Sequence, residues 1–275
     1  MTDATSFLAL AEQLADAARE QTFSRWSQGI AADNKSSTGW DPVTEADREA
    51  ERVMRDLIAD THPNHGVDGE EFPFRAPQGP WTWSLDPIDG TRAFVCQLPT
   101  WVTLIGLLHE GTPILGVIDA PCLNERYVGY SGEARMVRGG QAHPLKVSGC
   151  TRLAAARLSS TDPYMFDGAG FEAFQELRQL ARTTRYGFDG YAYARLAAGS
   201  IDLVVESGLK TYDYNALIPV VRAAGGVFGD WNGGEDFSGG NVIAAASREL
   251  YGAAVAVMRA SRRAASEGPQ PHLPS

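Results

Sequence analysis

Apolar residues recur every three or four positions over residues 6–26, at Phe7, Leu8, Ala11, Leu14, Ala15 and Ala18. That spacing predicts a helix with one buried face. A second such run follows Thr44, through Ala46, Ala50, Val53, Met54, Leu57 and Ile58. Thr44 is placed to cap it, and Asp47 completes an acidic first turn. Residues 33–41 are polar, include Gly39 and read as a loop. Residues 62–80 are rich in Gly and Pro, and predict a long loop with a short extended excursion at 67–72. Residues 81–85 predict a strand that Asp86-Pro87 should stop. The apolar runs 102–108 and 114–118, joined by His109-Glu110-Gly111-Thr112-Pro113, predict a hairpin. Residues 126–130 and 134–137 continue an antiparallel sheet. Further strands are expected at 157–160, 201–205, 227–230 and 241–246. Helices are expected at 171–181, at 191–198 ending on Gly199, at 214–224 closed by Gly225-Gly226, and at 247–262 capped by Ser247. Residues 266–275 are Pro-rich and polar and are expected to be a disordered tail. Helices and strands mix without strict alternation or internal repeat. The expected fold is therefore layered α/β or α+β, with helices covering mixed sheets across residues 1–265.

Composition narrows this picture. A chain of 275 residues, 44% hydrophobic, 21% charged and with six Trp, builds a core and is not disordered. Its 24 Lys and Arg against 34 Asp and Glu leave a net charge of −10, which opposes sequence-independent nucleic-acid binding. The same charge makes an anionic substrate a puzzle. Cys96, Cys122 and Cys150 form no C-x-x-C pair, so a disulfide scaffold, a zinc knuckle and a thioredoxin-type site are unsupported. A reduced, cytoplasmic protein is expected. The start of the chain carries Asp3, Glu12 and Asp16 rather than a signal-peptide pattern, and no stretch approaches the ~18 apolar residues of a membrane span. His62 and His65 flank Pro63, which spoils a helical ligand pair, and are expected to be solvent-facing loop residues.

Four acidic clusters sit where the chain changes direction: Asp41 to Asp47, Gly69-Glu70-Glu71, Asp86-Pro87-Ile88-Asp89-Gly90-Thr91, and Tyr212-Asp213. In the third, a strand end, a proline turn and a glycine aim two carboxylates and the Ile88 carbonyl at one place. Oxygen donors of this kind suit Mg²⁺. Each cluster also has a plain reading: Asp-Pro and Asp-Gly are turn formers, Glu70 and Glu71 a solvated loop, and Thr44, Asp47 and Asp213 helix-start residues. Only the ordered set resists those readings.

The ordered set, Asp41-x-Val43-Thr44-x-x-Asp47, Gly69-Glu70-Glu71, Trp83-x-Leu85-Asp86-Pro87-Ile88-Asp89-Gly90-Thr91, and Tyr212-Asp213 with Ala223-Ala224-Gly225-Gly226, closely resembles the inositol monophosphatase family of Mg²⁺-dependent, lithium-sensitive phosphomonoesterases. Arg92-Ala93-Phe94 after Thr91, Leu98-Pro99-Thr100-Trp101, Gly116 to Pro121, Tyr186-Gly187-x-Asp189-x-Tyr191-Ala192-Tyr193 and Gly208-Leu209-Lys210 look most like its bacterial histidinol-phosphate phosphatases. Tyr212 stands where the family commonly has Trp. Cys122 to Arg126 and Phe188 are less typical and would alter pocket shape.

The resemblance implies an αβαβα sandwich of the inositol monophosphatase and fructose-1,6-bisphosphatase type, usually a homodimer. It implies a metal-binding half at about 1–150 and a substrate half at 151–265. Two or three Mg²⁺ ions would be held by Glu70, Asp86, the Ile88 carbonyl, Asp89 and Asp213. Glu70, with Thr91 polarised by Asp47, would orient and deprotonate a water. The phosphate would meet backbone N–H groups around Gly90 and Thr91, where a short helix would add its dipole, with Arg92, Arg185 and Lys35 as further contacts. The loop 185–189, including Gly187, and Glu206 would line the leaving-group side. Asp189 and Glu206 would meet the cationic amine and imidazole of histidinol. An ordinary loop turn for Asp189, a surface charge for Glu206 and a solvated Lys35 are competing readings. Inositol phosphate, a 3′-phosphoadenosine nucleotide and sugar phosphates are rival substrates. A haloacid dehalogenase-type D-x-D is disfavoured by the longer gap from Asp86 to Asp89, and a cysteine phosphatase C-x₅-R is missed by one residue between Cys150 and Arg157. A metal-binding scaffold without activity would require loss of Asp47, Glu70 or Thr91, and all three are present.

Overall fold

The computed structural model describes residues 4–26, 28, 33–34 and 42–266. The two N-terminal amphipathic runs form α1 (Ala4–Trp26) and α2 (Glu45–Thr61), with the two-residue strands β1 (Asp33–Asn34) and β2 (Pro42–Val43) paired between them. Thr44 caps α2 as expected, in a full capping box with Asp47. Seven strands follow in one sheet: β3 (Gly66–Gly69), β4 (Trp81–Asp89), β5 (Val102–His109), β6 (Thr112–Ala120), β7 (Glu125–Tyr130), β8 (Glu133–Arg138) and β9 (Gln141–Pro144). Only β3 and β4 run parallel; every later neighbour is antiparallel. The five-residue helix α3 (Thr91–Val95) leaves the end of β4.

The second sheet has the order β11-β10-β12-β14-β13. Its strands are β10 (Arg157–Ser160), β11 (Thr183–Tyr186), β12 (Leu203–Glu206), β13 (Val227–Asp230) and β14 (Val242–Ala245). Between and after them come α4 (Gly168–Leu180), α5 (Gly190–Ala197), α6 (Thr211–Tyr214), α7 (Leu217–Ala223) and α8 (Arg248–Ser266).

Three cores stack these parts. Phe7, Leu14, Met54 and Ile58 of α1 and α2 pack on Trp83, Leu85, Ile105 and Val117. Leu104, Ile118 and Tyr127 on the other face meet α5 and α7, which also cover Val204, Val242 and Ala244 of the second sheet. Leu158, Leu203, Val205 and Ile243 close against α4 and α8. The result is the expected αβαβα layering, with α5 and α7 as the middle layer. Among the described residues no helix is long and apolar enough to cross a membrane.

Several expectations need correction. Pro87 does not stop the strand: β4 continues to Asp89 through a shift of register. The hairpin turn is only Glu110-Gly111, both at positive φ, because β5 and β6 extend into the polar stretch. The helix expected at 214–224 breaks into α6 and α7. Pro219 has no N–H for the Asn215 carbonyl, so the chain restarts with Pro219 in a first helical turn. β9 and β11 carry no apolar run; both are sheet edges with exposed positions. His65 is buried rather than solvent-facing. It stacks on His62 at 4.4 Å and accepts a hydrogen bond from Trp83 Nε1 at 3.1 Å. Burial pushes its imidazole down to about 4, with His62 and Arg75 acting in the same direction. Asp41, Lys35 and the tail beyond Ser266 lie outside the described residues.

Candidate metal centre

Residues three apart on a regular strand face opposite sides of the sheet. Asp86 and Asp89 escape this because Asp86 pairs with Leu104 and Asp89 with Val102, three steps on β4 against two on β5. One residue is bulged out, and Leu104 and Val102 share the face packed on the middle helices. Pro87 sits inside the bulge, where its missing N–H leaves no ladder bond unmade, and its carbonyl accepts from Thr103 Oγ at 2.7 Å.

Asp213 arrives on α6 from the second half of the chain. The Lys210 N–H donates to its Oδ2 at 2.6 Å. α6 is tied to the first sheet by Thr211 Oγ donating to Asp68 on β3 at 2.5 Å, and by Asn215 Nδ2 donating to Ser84 Oγ on β4 at 3.2 Å. One carboxylate oxygen each of Asp86, Asp89 and Asp213 lies within 4.8 Å of the others. Burial pushes the Asp86 carboxyl far up, reinforced by the charges of Glu70, Asp89, Asp213 and Asp47. Burial also raises Asp89, with Asp189 and Asp213 adding to it and the Gly190 N–H opposing. Asp213 is pushed up to about 7, chiefly by burial. Asp86 Oδ1 is buried without a hydrogen-bond partner among the described residues. Converging hard oxygens, mutual repulsion and an unused buried lone pair fit a divalent cation such as Mg²⁺.

The other expected residues gather around this cluster to different degrees. Glu70 follows β3, and its N–H donates to the Leu85 carbonyl at 3.2 Å. Asp47 is buried at the start of α2; its Oδ2 accepts the N–H and hydroxyl of Thr44 at 2.8 and 2.6 Å. Thr91 Oγ donates to the Ile88 carbonyl at 3.0 Å and so steadies that backbone oxygen. Gly90, at φ +86°, begins α3 and has the Asp189 carboxylate beside it. Arg92 is exposed, 3.8 Å from Asp162, and its charge opposes the upward shift of Asp189. Arg185 and Gly187 are exposed, on the edge strand β11 and just after it.

A cavity of about 100 Å³ opens beside the cluster, lined by Asp89, Asp213, Asp189, Glu206, Tyr193 and Met165 among others. A larger one, about 220 Å³ near Arg222 and Arg248, shares no residue with the carboxylates. Thr161, which sequence reasoning missed, donates both its N–H and its hydroxyl to Glu206 Oε1, at 2.9 and 2.7 Å. Tyr193 OH donates to Glu206 Oε2 at 3.4 Å. Burial raises Glu206 to about 8 and Asp189 to about 6, against opposing hydrogen bonds from Thr161. Tyr193 stands in the quoted motif; Thr161 carries no motif and is found only through Glu206.

The Gly190 N–H donates to Asp89 Oδ2. A Cβ at Gly190 would stand 2.5 Å from that oxygen, 3.1 Å from Val102 Cγ2 and 3.2 Å from Leu104 Cδ2. Gly190→Ala is therefore expected to displace Asp89 and weaken Mg²⁺ binding by about tenfold or more. Calorimetric titration measures this, and unchanged affinity would show that Asp89 does not depend on this contact.

Residues 3–263 match the inositol monophosphatase family. The chain is 39% identical over 234 residues to the chloroplastic bifunctional phosphatase IMPL2 of Arabidopsis thaliana, covering 84% of this chain and 66% of that longer relative. It is 36% identical over 265 residues to a histidinol-phosphatase of Streptomyces coelicolor, covering 92% and 98% of the two chains. Among solved structures, an inositol monophosphatase from Zymomonas mobilis superposes with a TM-score of 0.82 at 36% identity, over 94% of this chain and all (100%) of that one.

Proposed function

The chain belongs to the inositol monophosphatase family, and on that premise we propose that this phosphatase hydrolyses histidinol phosphate to histidinol and phosphate with Mg²⁺. The observation that supports this substrate is the acidic cavity beside the carboxylate cluster, lined by Asp89, Asp213, Asp189 and Glu206. A cationic amine or imidazole there gains paired carboxylate acceptors; a neutral polyol gains less. Relatives named as histidinol-phosphatases support the same reading.

Glu70, Asp86, Asp89, Asp213 and the Ile88 carbonyl are the residues we assign to two or three Mg²⁺ ions. Mg²⁺ held there would supply the positive charge that draws in phosphate and would acidify a water for deprotonation near neutrality. Glu70, with Thr91 and Asp47, orients the attacking water and takes its proton. The water oxygen bonds to phosphorus as the ester P–O bond breaks in line, and the departing alkoxide takes a proton from solvent water to leave as the alcohol toward Asp189 and Glu206. Backbone N–H groups around Gly90 and Thr91, where α3 starts, are assigned to the phosphate. Arg92, Arg185 and Gly187 are assigned to the rim. By family resemblance we infer a cytoplasmic homodimer.

The test is a panel of kcat/KM values for histidinol phosphate, inositol 1-phosphate and 3′-phosphoadenosine 5′-phosphate. Histidinol phosphate is expected to be highest, and a higher value for another ester replaces it as the substrate. Asp189→Ala should lower the histidinol phosphate value by about tenfold or more, the scale of a lost charge-assisted hydrogen bond. A simple aryl phosphate should lose much less; equal losses would remove the specificity role.

A further inference from the structure

α2 presents two carboxylates four residues apart, Asp47 and Glu51, and both are fully buried. The chemistry above uses the first and gives Glu51 nothing to do. A carboxylate without exposed surface destabilises a fold unless its oxygens are well satisfied. Those of Glu51 are satisfied by a loop and by its own helix. Its Oε2 accepts the Glu71 N–H at 2.7 Å. Its Oε1 accepts Arg55 Nε at 2.7 Å, and Arg55 Nη2 donates onward to the Phe72 carbonyl at 3.0 Å. The Arg55 guanidinium also lies 5.8 Å from the centroid of the Phe72 ring.

Residue 70 is thus gripped on both sides. Its own N–H is fixed to Leu85, the residue before Asp86, and the next N–H is fixed to Glu51. Gly69 makes the grip possible, since a Cβ there would run into the Glu51 carboxylate. The Glu70 N–H bond to Leu85 sets residue 70 alongside the end of β4, where its charge is felt at both Asp86 and Asp213.

We propose that Glu51 is a positioning residue: braced by Arg55, it anchors the Glu71 amide and so fixes Glu70 for its place beside Asp86 and Asp213. This rests on the reading of Glu70 as a metal ligand and proton acceptor.

The experiment compares Glu51→Ala, Glu51→Gln, Gly69→Ala and Glu70→Gln with the parent. It measures Mn²⁺ binding to the full chain without substrate, by electron paramagnetic resonance, together with kcat and KM. Glu51→Ala and Gly69→Ala are expected to weaken Mn²⁺ binding about tenfold or more, and to lower kcat far more than they change KM. Glu51→Gln keeps an oxygen that can accept the Glu71 N–H, and is expected to bind Mn²⁺ more tightly than Glu51→Ala. Parent-like binding and kcat in Glu51→Ala and Gly69→Ala, beside an impaired Glu70→Gln, would overturn the positioning role alone. A parent-like Glu70→Gln would instead overturn the reading of Glu70, and the positioning role would fall with it. Should Glu51→Ala not fold, amide hydrogen exchange of the metal-free parent decides. The Glu71 N–H is expected to be protected as the core amides of β4 are, and exchange at loop rates overturns the grip.

Discussion

Asp86→Asn is expected to lower kcat by about a thousandfold or more at saturating Mg²⁺, while the metal-free protein melts no lower than the parent. The two effects have one cause. Asp86 is 2% exposed, its Oδ1 has no hydrogen-bond partner among the described residues, and four like charges press on it. Asparagine keeps the size and removes the charge, so the folded chain without metal is relieved of repulsion. The same change takes away an anionic oxygen where a divalent cation needs it. A carboxylate kept for structure would behave in the opposite way, costing stability and sparing turnover. Steady-state kinetics and a thermal melt of the metal-free protein therefore decide together. Normal turnover would remove Asp86 from the ligand set, and a large loss of melting temperature would make it a structural group.

The second large effect is on stability against pH. Without divalent cations the melting temperature is expected to fall by about 5 °C or more between pH 5 and 8, with the slope easing as pH passes about 7, and Mg²⁺ is expected to cancel the fall. Asp213 titrates at about 7 in the fold against 3.8 for its ordinary value. Between those values the folded state holds a proton that the unfolded chain has lost. Stability is therefore complete below about 3.8 and is lost as pH rises through 7. Glu206 and Asp189, raised to about 8 and about 6, act in the same sense. His65 acts oppositely: lowered from 6.5 to about 4, it removes stability as pH falls through that window. Asp213→Asn separates the two, because its alkaline slope should be flatter while its acid limb stays. Metal binding must also expel the protons the carboxyls hold. Calorimetry at pH 6.5 in buffers of different ionisation enthalpy counts them, and release of none would contradict this account.

Much of this was legible in the residues. The capping box at Thr44 and Asp47, the buried faces of α1 and α2 and the β5–β6 hairpin all follow from local spacing. Ser247 likewise accepts the Leu250 N–H at 3.0 Å at the start of α8. The carboxylate triad Asp86, Asp89 and Asp213 could be read because strand end, glycine and helix start are local signals, and the family resemblance ordered them. What escaped was what depends on distant partners. The burial of His65 escapes the sequence because Trp83 and Phe7 of the first helix, remote in sequence, take part in it. β11 was invisible because an edge strand need not alternate. Thr161 and Glu51 are ordinary residues in sequence, and their roles exist only through Glu206 in one case and the Glu71 amide in the other.

The extra residue in β4 gives this centre an unusual sensitivity. A sheet generally tolerates a changed side chain better than a changed count, and here the count between two carboxylates sets the bulge that spaces them. A chain shortened by one residue at Pro87 or Ile88 would retain every acidic group on one face, but it would lose the bulge that spaces them and whose Pro87 and Ile88 carbonyls accept from Thr103 and Thr91. Related chains that vary freely at these two positions should therefore never vary in length there, and a library of insertions and deletions across β4 should find that spacing less forgiving than the identity of the residues that fill it.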